Sequence, residues 1–162
     1  MIYSVILIII YIKCNDVEFL IANFYRCNVA ETSVLTAYED AFKAFADTKL
    51  PVVVTGDFNL PGINWDIPSA PTTFSQNKFL DAFLDFGFVQ KVLKPTRLKK
   101  ILDLVLTNDP HFVYDVTVGN PVGLSDHNTV CFKINLCMSH DISKLRLDWD
   151  NADILGLSAQ WS

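Results

Sequence analysis

Paired cysteines of the zinc-binding kind are missing from this sequence. Its four cysteines, at positions 14, 27, 131 and 137, form no CxxC pair and no Cys/His spacing of a zinc site. Free thiols in a reducing compartment are the reading that remains. An excess of positive charge is missing as well. The formal net charge is −5 and the pI about 5.0, which argues against a strongly basic nucleic-acid surface. It does not argue against an acidic active site neutralised by cations. A membrane-length apolar segment is also lacking. The N-terminal run "MIYSVILIIIYIKC" reaches Lys13, short of the ~20 residues a spanning helix needs. It has neither a basic leader region nor a small-residue cleavage site. Isoleucine at positions 2, 6, 8, 9, 10 and 12 instead predicts a strand buried on both faces. No internal repeat or low-complexity block appears.

What is present suits one ordinary globular domain. Half of the 162 residues are apolar, and twelve Phe and three Trp supply core material. Ile2–Ile12 and Val17–Tyr25 read as strands around the turn "KCND", a hairpin. Val34, Tyr38, Phe42 and Phe45 fall on one helix face, with Thr32 or Ser33 as its cap. Pro51 precedes a short buried strand, Val52–Thr55. "DIPSAPTTFS" is a loop, and "SQNKFLDAFLDFG" a helix from Ser75 to Gly87 with the stripe Phe79, Leu80, Phe83 and Leu84. "FVQKVL", "ILDLVLT", "FVYDVTVG" and "NTVCFKINLCM" read as further strands. The intervening loops are often too short for parallel crossovers. The expected fold is α/β, a mixed and largely antiparallel sheet with flanking helices.

Three features carry chemistry. In "VVVTGDFNLPGINW", Asp57 and Asn59 stand two residues apart at a strand end and share a side if strand geometry continues. A hard cation, a water and a phosphate oxygen would explain the pair, and so would an Asx-turn. In "GLSDHNTV", Asp126 and His127 precede a strand, where neighbours point to opposite sides; a plain polar turn is the simpler alternative. Asp103 interrupts the aliphatic "ILDLVLT" and needs a partner. His127 is one candidate; Arg97, Lys99 and Lys100 are the others.

"NFYRCN", "VVVTGDFNLPGINW", "KPTRLKKILDLVLTN" and "GLSDHNTVCFKI" occur in the order of the endonuclease/exonuclease/phosphatase superfamily. The sequence resembles most the endonuclease domain of non-LTR (LINE-type) retrotransposons, from about Val17 to Leu136. The resemblance implies in-line hydrolysis of a DNA phosphodiester, with Mg2+ or Mn2+ as cofactor and DNA as partner. It gives Asp57 the attacking water, Asn59 the scissile phosphate, and His127, paired with Asp103, the transition state. It gives Asp126, with Asp57, the metal, and Tyr25 and Asn28 the phosphate and its surroundings. Thr96 is expected at the DNA backbone, with Arg97 and Ser125 as further DNA-binding residues. A retrotransposon endonuclease would work inside the cell, in the nucleus.

The sequence departs from that family at its start. Complete members open with a strand ending in Asn and a second ending in a metal-binding Glu, and neither is present. Glu18, Glu31 and Glu39 are not placed like that Glu, and Cys27 stands where proline is common. The expectation is therefore a partial four-layer α/β/β/α sandwich over 1–137, followed at 138–162 by a tail resembling the lead toward a reverse transcriptase. The metal site should be incomplete, one apolar face including Ile2–Ile12 uncovered, and hydrolysis by these residues alone weak or absent. The alternatives are a catalytically dead relic that at most binds a partner, or another superfamily branch acting on RNA or phosphorylated small molecules. A tethered membrane protein would need a basic flank ahead of Met1.

Overall fold

In the computed structural model, residues 5–14, 16–26, 33–69 and 74–136 are described. Asn28, Cys27, the candidate cap Thr32 and the tail from residue 138 lie outside them.

β1 (Val5–Cys14) and β2 (Val17–Arg26) form the expected antiparallel hairpin, in register from Val5↔Arg26 to Cys14↔Val17. The chain then crosses through α1 (Ser33–Asp47) and returns as β3 (Val52–Asp57), parallel to β2. A parallel neighbour requires such a crossover. α2 (Phe74–Asp85) follows, then β4 (Val89–Gln90) and β5 (Asp103–Thr107). The mixed five-stranded sheet runs β1-β2-β3-β5-β4. β6 (Val113–Pro121) and β7 (Asn128–Ile134) make a separate antiparallel ribbon. The fold is α/β, and among the described residues it has three layers: helices, sheet and ribbon.

Strand alternation assigns each residue to a layer. Phe24, Val52, Val54, Leu104 and Leu106 meet Tyr38, Phe42 and Phe45 of α1 and Phe79 and Phe83 of α2. Phe19, Val53 and Val105 face the other way, onto Phe112 and Val113 of the ribbon. Asp57 and Asp103 are in phase with Val53 and Val105. They therefore emerge on the face opposite the helices, at the sheet's end.

Three expectations are corrected. Leu84 is half-exposed and Ala82 takes its place in the α2 stripe, because positions 79, 82 and 83 share a helix face that 84 has rotated off. "FVQKVL" is a strand only at Val89–Gln90. Beyond it the Gln90 side-chain amide binds both the N–H and the C=O of Val92, taking the place of ladder partners. β1 is buried on one face, not two. Leu7 and Ile9 pack toward the helices, while Ile6, Ile8 and Ile10 are 48%, 52% and 42% exposed. No described helix is long and apolar enough to cross a membrane.

Candidate active site

Gly56 makes the site possible. Its φ is +133°, and a Cβ there would lie 1.8 Å from the carbonyl oxygen of Phe24 on β2. Only glycine lets β3 approach its neighbour so closely. Phe58 then turns inward, fully buried and stacked on Phe24 at 4.7 Å between ring centroids. With Phe58 anchored, its neighbours Asp57 and Asn59 flank it at the surface of the turn. The Asp57 Oδ1 accepts the backbone N–H of Asn59 at 2.9 Å, and Asn59 adopts the left-handed conformation at φ 48°. The Asx-turn read as an alternative is therefore real, and it uses one of the two carboxylate oxygens.

Sheet register sets three of the candidates in one row. Tyr25 is the Cα partner of Asp57, and Asp57 the partner of Asp103. Asp103 in turn meets the imidazole of His127, Nδ1 to Oδ2, at 2.8 Å. That bond leaves Nε2 as the outward atom of the ring. The segment before β7 is seated on the turn before β5. Asn128 donates its backbone N–H to Thr96 O at 2.7 Å and its side-chain amide to Pro95 O at 3.2 Å. Ser125 lies on this segment, and its Oγ accepts the N–H of His127 at 3.1 Å.

The remaining candidates stand beside this row, behind it or outside the described residues. Thr96, expected at DNA, is completely buried. Its hydroxyl accepts the backbone N–H groups of Leu102 and Asp103, each at 3.0 Å, so it fixes the start of β5. Arg97 binds Asp126, not Asp103, at 2.6 Å. Asp126 is thereby neutralised in an exposed pair, with its other oxygen 4.0 Å from His127 Nε2. Asn28 lies outside the described residues. Two participants were not singled out from sequence. Arg26 is buried and binds the Asn59 carbonyl. Asn108 clips β3 in place by accepting Val52 N–H at 2.7 Å and donating to Leu50 O at 2.9 Å. The final Asn of "LDLVLTN" was the available signal for the second.

Burial pushes the Asp57 carboxyl above its ordinary value, and the neighbouring Asp103 carboxylate pushes in the same direction. The Asn59 N–H, His127 and Arg97 oppose both. A proton acceptor held against its own ionisation suits general-base work. Among the described residues, no three of His, Cys, Asp and Glu gather as a metal cluster. Among the described residues Asp57 has one oxygen without a hydrogen bond, and Asp126 is held by Arg97. Magnesium asks for near-octahedral oxygens, and these two carboxylates do not make its cage.

The mixed sheet with few helices is of the endonuclease/exonuclease/phosphatase type. The profile of one of its families, described as endonuclease-reverse transcriptase, matches residues 7–131. The chain belongs to that family. Three solved structures resemble it. The endonuclease domain of TRAS1, a telomere-specific non-LTR retrotransposon, aligns over 80% of this chain and 64% of its own, at 15% identity and TM-score 0.61. An endonuclease/exonuclease/phosphatase family protein from Bacteroides thetaiotaomicron aligns over 85% and 57%, at 18% identity and TM-score 0.54. A 3′–5′ exonuclease from Neisseria meningitidis aligns over 79% and 65%, at 17% identity and TM-score 0.54. At these identities the likeness is one of fold. The chain spans less than two thirds of each neighbour's length. No curated protein matches the chain in sequence.

Proposed function

We propose that the chain is a DNA endonuclease domain of the retrotransposon kind, hydrolysing a phosphodiester by in-line attack of water. The observation that carries the reading is the His127–Asp103 pair at 2.8 Å beside Asp57 on the adjoining strand. In this reading Asp57 orients the water and takes its proton. Asn59 donates a hydrogen bond to the scissile phosphate. His127, its Nδ1 committed to Asp103, offers Nε2 to the charge that develops on phosphorus-bound oxygen. Tyr25, in the same row and 46% exposed, contacts the phosphate from the β2 side. Lys94, Arg97, Lys99 and Lys100 stand together in the turn before β5, a local positive patch in a chain of net charge −5. That patch supports a polyanionic substrate. Membership of the endonuclease-reverse transcriptase family supports a nuclease working beside reverse transcription; DNA as its substrate and the nucleus as its place of action are part of the proposal.

Superfamily members generally depend on a divalent metal. The cation we propose here is Mg2+ or Mn2+, with Asp57 and Asp126 the described carboxylates that would face it. Because the two do not make a cage, it binds weakly, and the 162 residues alone hydrolyse slowly or not at all. A side-by-side trial of duplex DNA, single-stranded RNA and an inositol phosphate, each with Mn2+, tests the substrate. Whatever cleavage occurs is expected on DNA alone, with products ending in 3′-hydroxyl. RNA trimming or release of inorganic phosphate would sink it.

A further inference from the structure

Arg26 ends β2 in phase with Ala22 and Phe24, on the helix side of the sheet and opposite in direction to the exposed Tyr25. It is only 7% exposed. Burying a guanidinium is costly unless its hydrogen bonds are well used. One of them is used on the turn itself, since Nη1 donates to the backbone carbonyl of Asn59 at 2.9 Å. Among the described residues Nε has no hydrogen-bond partner, so these surroundings do not satisfy the group completely.

Asn59 is the residue that needs such help. At φ 48° it sits in a region that side-chain-bearing residues seldom occupy. Its N–H is tied to Asp57 Oδ1 on one side, and its C=O to Arg26 on the other. Rotating the Asn59 backbone toward an ordinary conformation would swing both groups away from these partners. We propose that Arg26 is a positioning residue for substrate. It grips the Asn59 peptide from beneath the sheet and thereby aims the Asn59 side-chain amide at the phosphate. Asp57 fixes the first half of the turn and Arg26 the second. The phosphate-binding consequence rests on the function proposed above; the grip on the turn does not.

The test compares Arg26→Met and Arg26→Lys in the full chain by amide hydrogen exchange and by affinity for a short duplex DNA. Arg26→Met should speed exchange at the Asn59 amide about tenfold while Val53 and Val54 amides keep wild-type rates. It should weaken DNA binding by about 3–10-fold, and Arg26→Lys should recover most of that. Made in an Asn59→Ala background, Arg26→Met should weaken binding no further. Unchanged exchange at Asn59, or equal acceleration at Asn59, Val53 and Val54, would overturn the proposal; the latter would make Arg26 a general stabiliser. If wild-type chain binds no DNA, the proposed function fails while the exchange comparison still decides the role of Arg26.

Discussion

His127 reaches back across 24 residues to place its Nδ1 2.8 Å from the carboxylate of Asp103, the first residue of β5. That bond joins the ribbon's entry segment to the end of the sheet. It also stands Asp103 between two partners, since Asp57 is its neighbour across the β3–β5 ladder.

Asp103→Asn should therefore act in two directions at once. Removing the charge lowers the titration midpoint of Asp57 toward the ordinary 3.8, because Asp103 is one of the groups raising it. It also frees the imidazole to change tautomer. Whatever slow hydrolysis of an activated phosphodiester the wild type shows should fall about 10-fold or more. Carboxyl-resolved NMR titration checks the first effect, and two-bond nitrogen–proton correlations of His127 the second.

Asp57→Asn should stabilise the fold while abolishing turnover. The native carboxyl is raised above 3.8, so the native state holds its proton more tightly than the unfolded chain. Stability contributed at this position is complete below 3.8 and is lost as pH rises through the raised value. The amide removes that loss and keeps an oxygen for the Asn59 N–H. At pH 7 the melting temperature should rise by about 1–2 °C, a small effect because Asp57 is half-solvated. Below pH 3.8 the variant and wild type should melt together. Differential scanning calorimetry across pH reads both.

Gly56→Ala should damage the fold itself. The added methyl would meet Phe24 O at 1.8 Å, and the φ of +133° is strained for alanine. Parting β2 from β3 should cost at least ~3 kcal/mol, a fall in melting temperature of more than ~6 °C. Gly123→Ala, with open space around it, is the control. It should cost no more than ~1 kcal/mol, for its positive φ alone.

Ile8→Lys should improve behaviour in solution without changing stability. Ile6, Ile8 and Ile10 lie on the ribbon side of an edge strand and are about half-exposed. Long apolar edges associate. Light scattering at high concentration should drop, with unfolding free energy within ~0.5 kcal/mol of wild type. Equal scattering from both proteins would show that this face does not drive association.

Much of this was legible in the residue pattern, for identifiable reasons. The valine run Val52–Val54 reports burial directly, so that strand was readable; an alternation over Phe112–Val118 does not survive, because a register shift between Tyr114 and Thr117 leaves Val113 buried and Tyr114 exposed. A carboxylate inside "ILDLVLT" had to find a partner, and His127 was among those named. The superfamily motifs then fixed the order of the site. Other features were hidden because sequence gives the phase of a side chain, not its neighbour. Periodicity could not show that β6 and β7 form their own ribbon. Nothing local showed that Thr96 turns inward to hold two amides, or that Arg97 takes Asp126. The strand read as Val17–Tyr25 stops one residue short of Arg26, and a buried arginine is rare enough that nothing in the pattern pointed to its grip on Asn59.

Nicking of supercoiled plasmid by the purified chain, with magnesium or with chelator, beside Asp57→Ala and His127→Ala, tests the central claim most directly. The account predicts at most a trace of magnesium-dependent nicking from folded protein, and its disappearance in both variants. Rapid magnesium-dependent nicking would contradict it, because two carboxylates that form no cage would then be sufficient. Nicking that survives both substitutions would contradict the site itself.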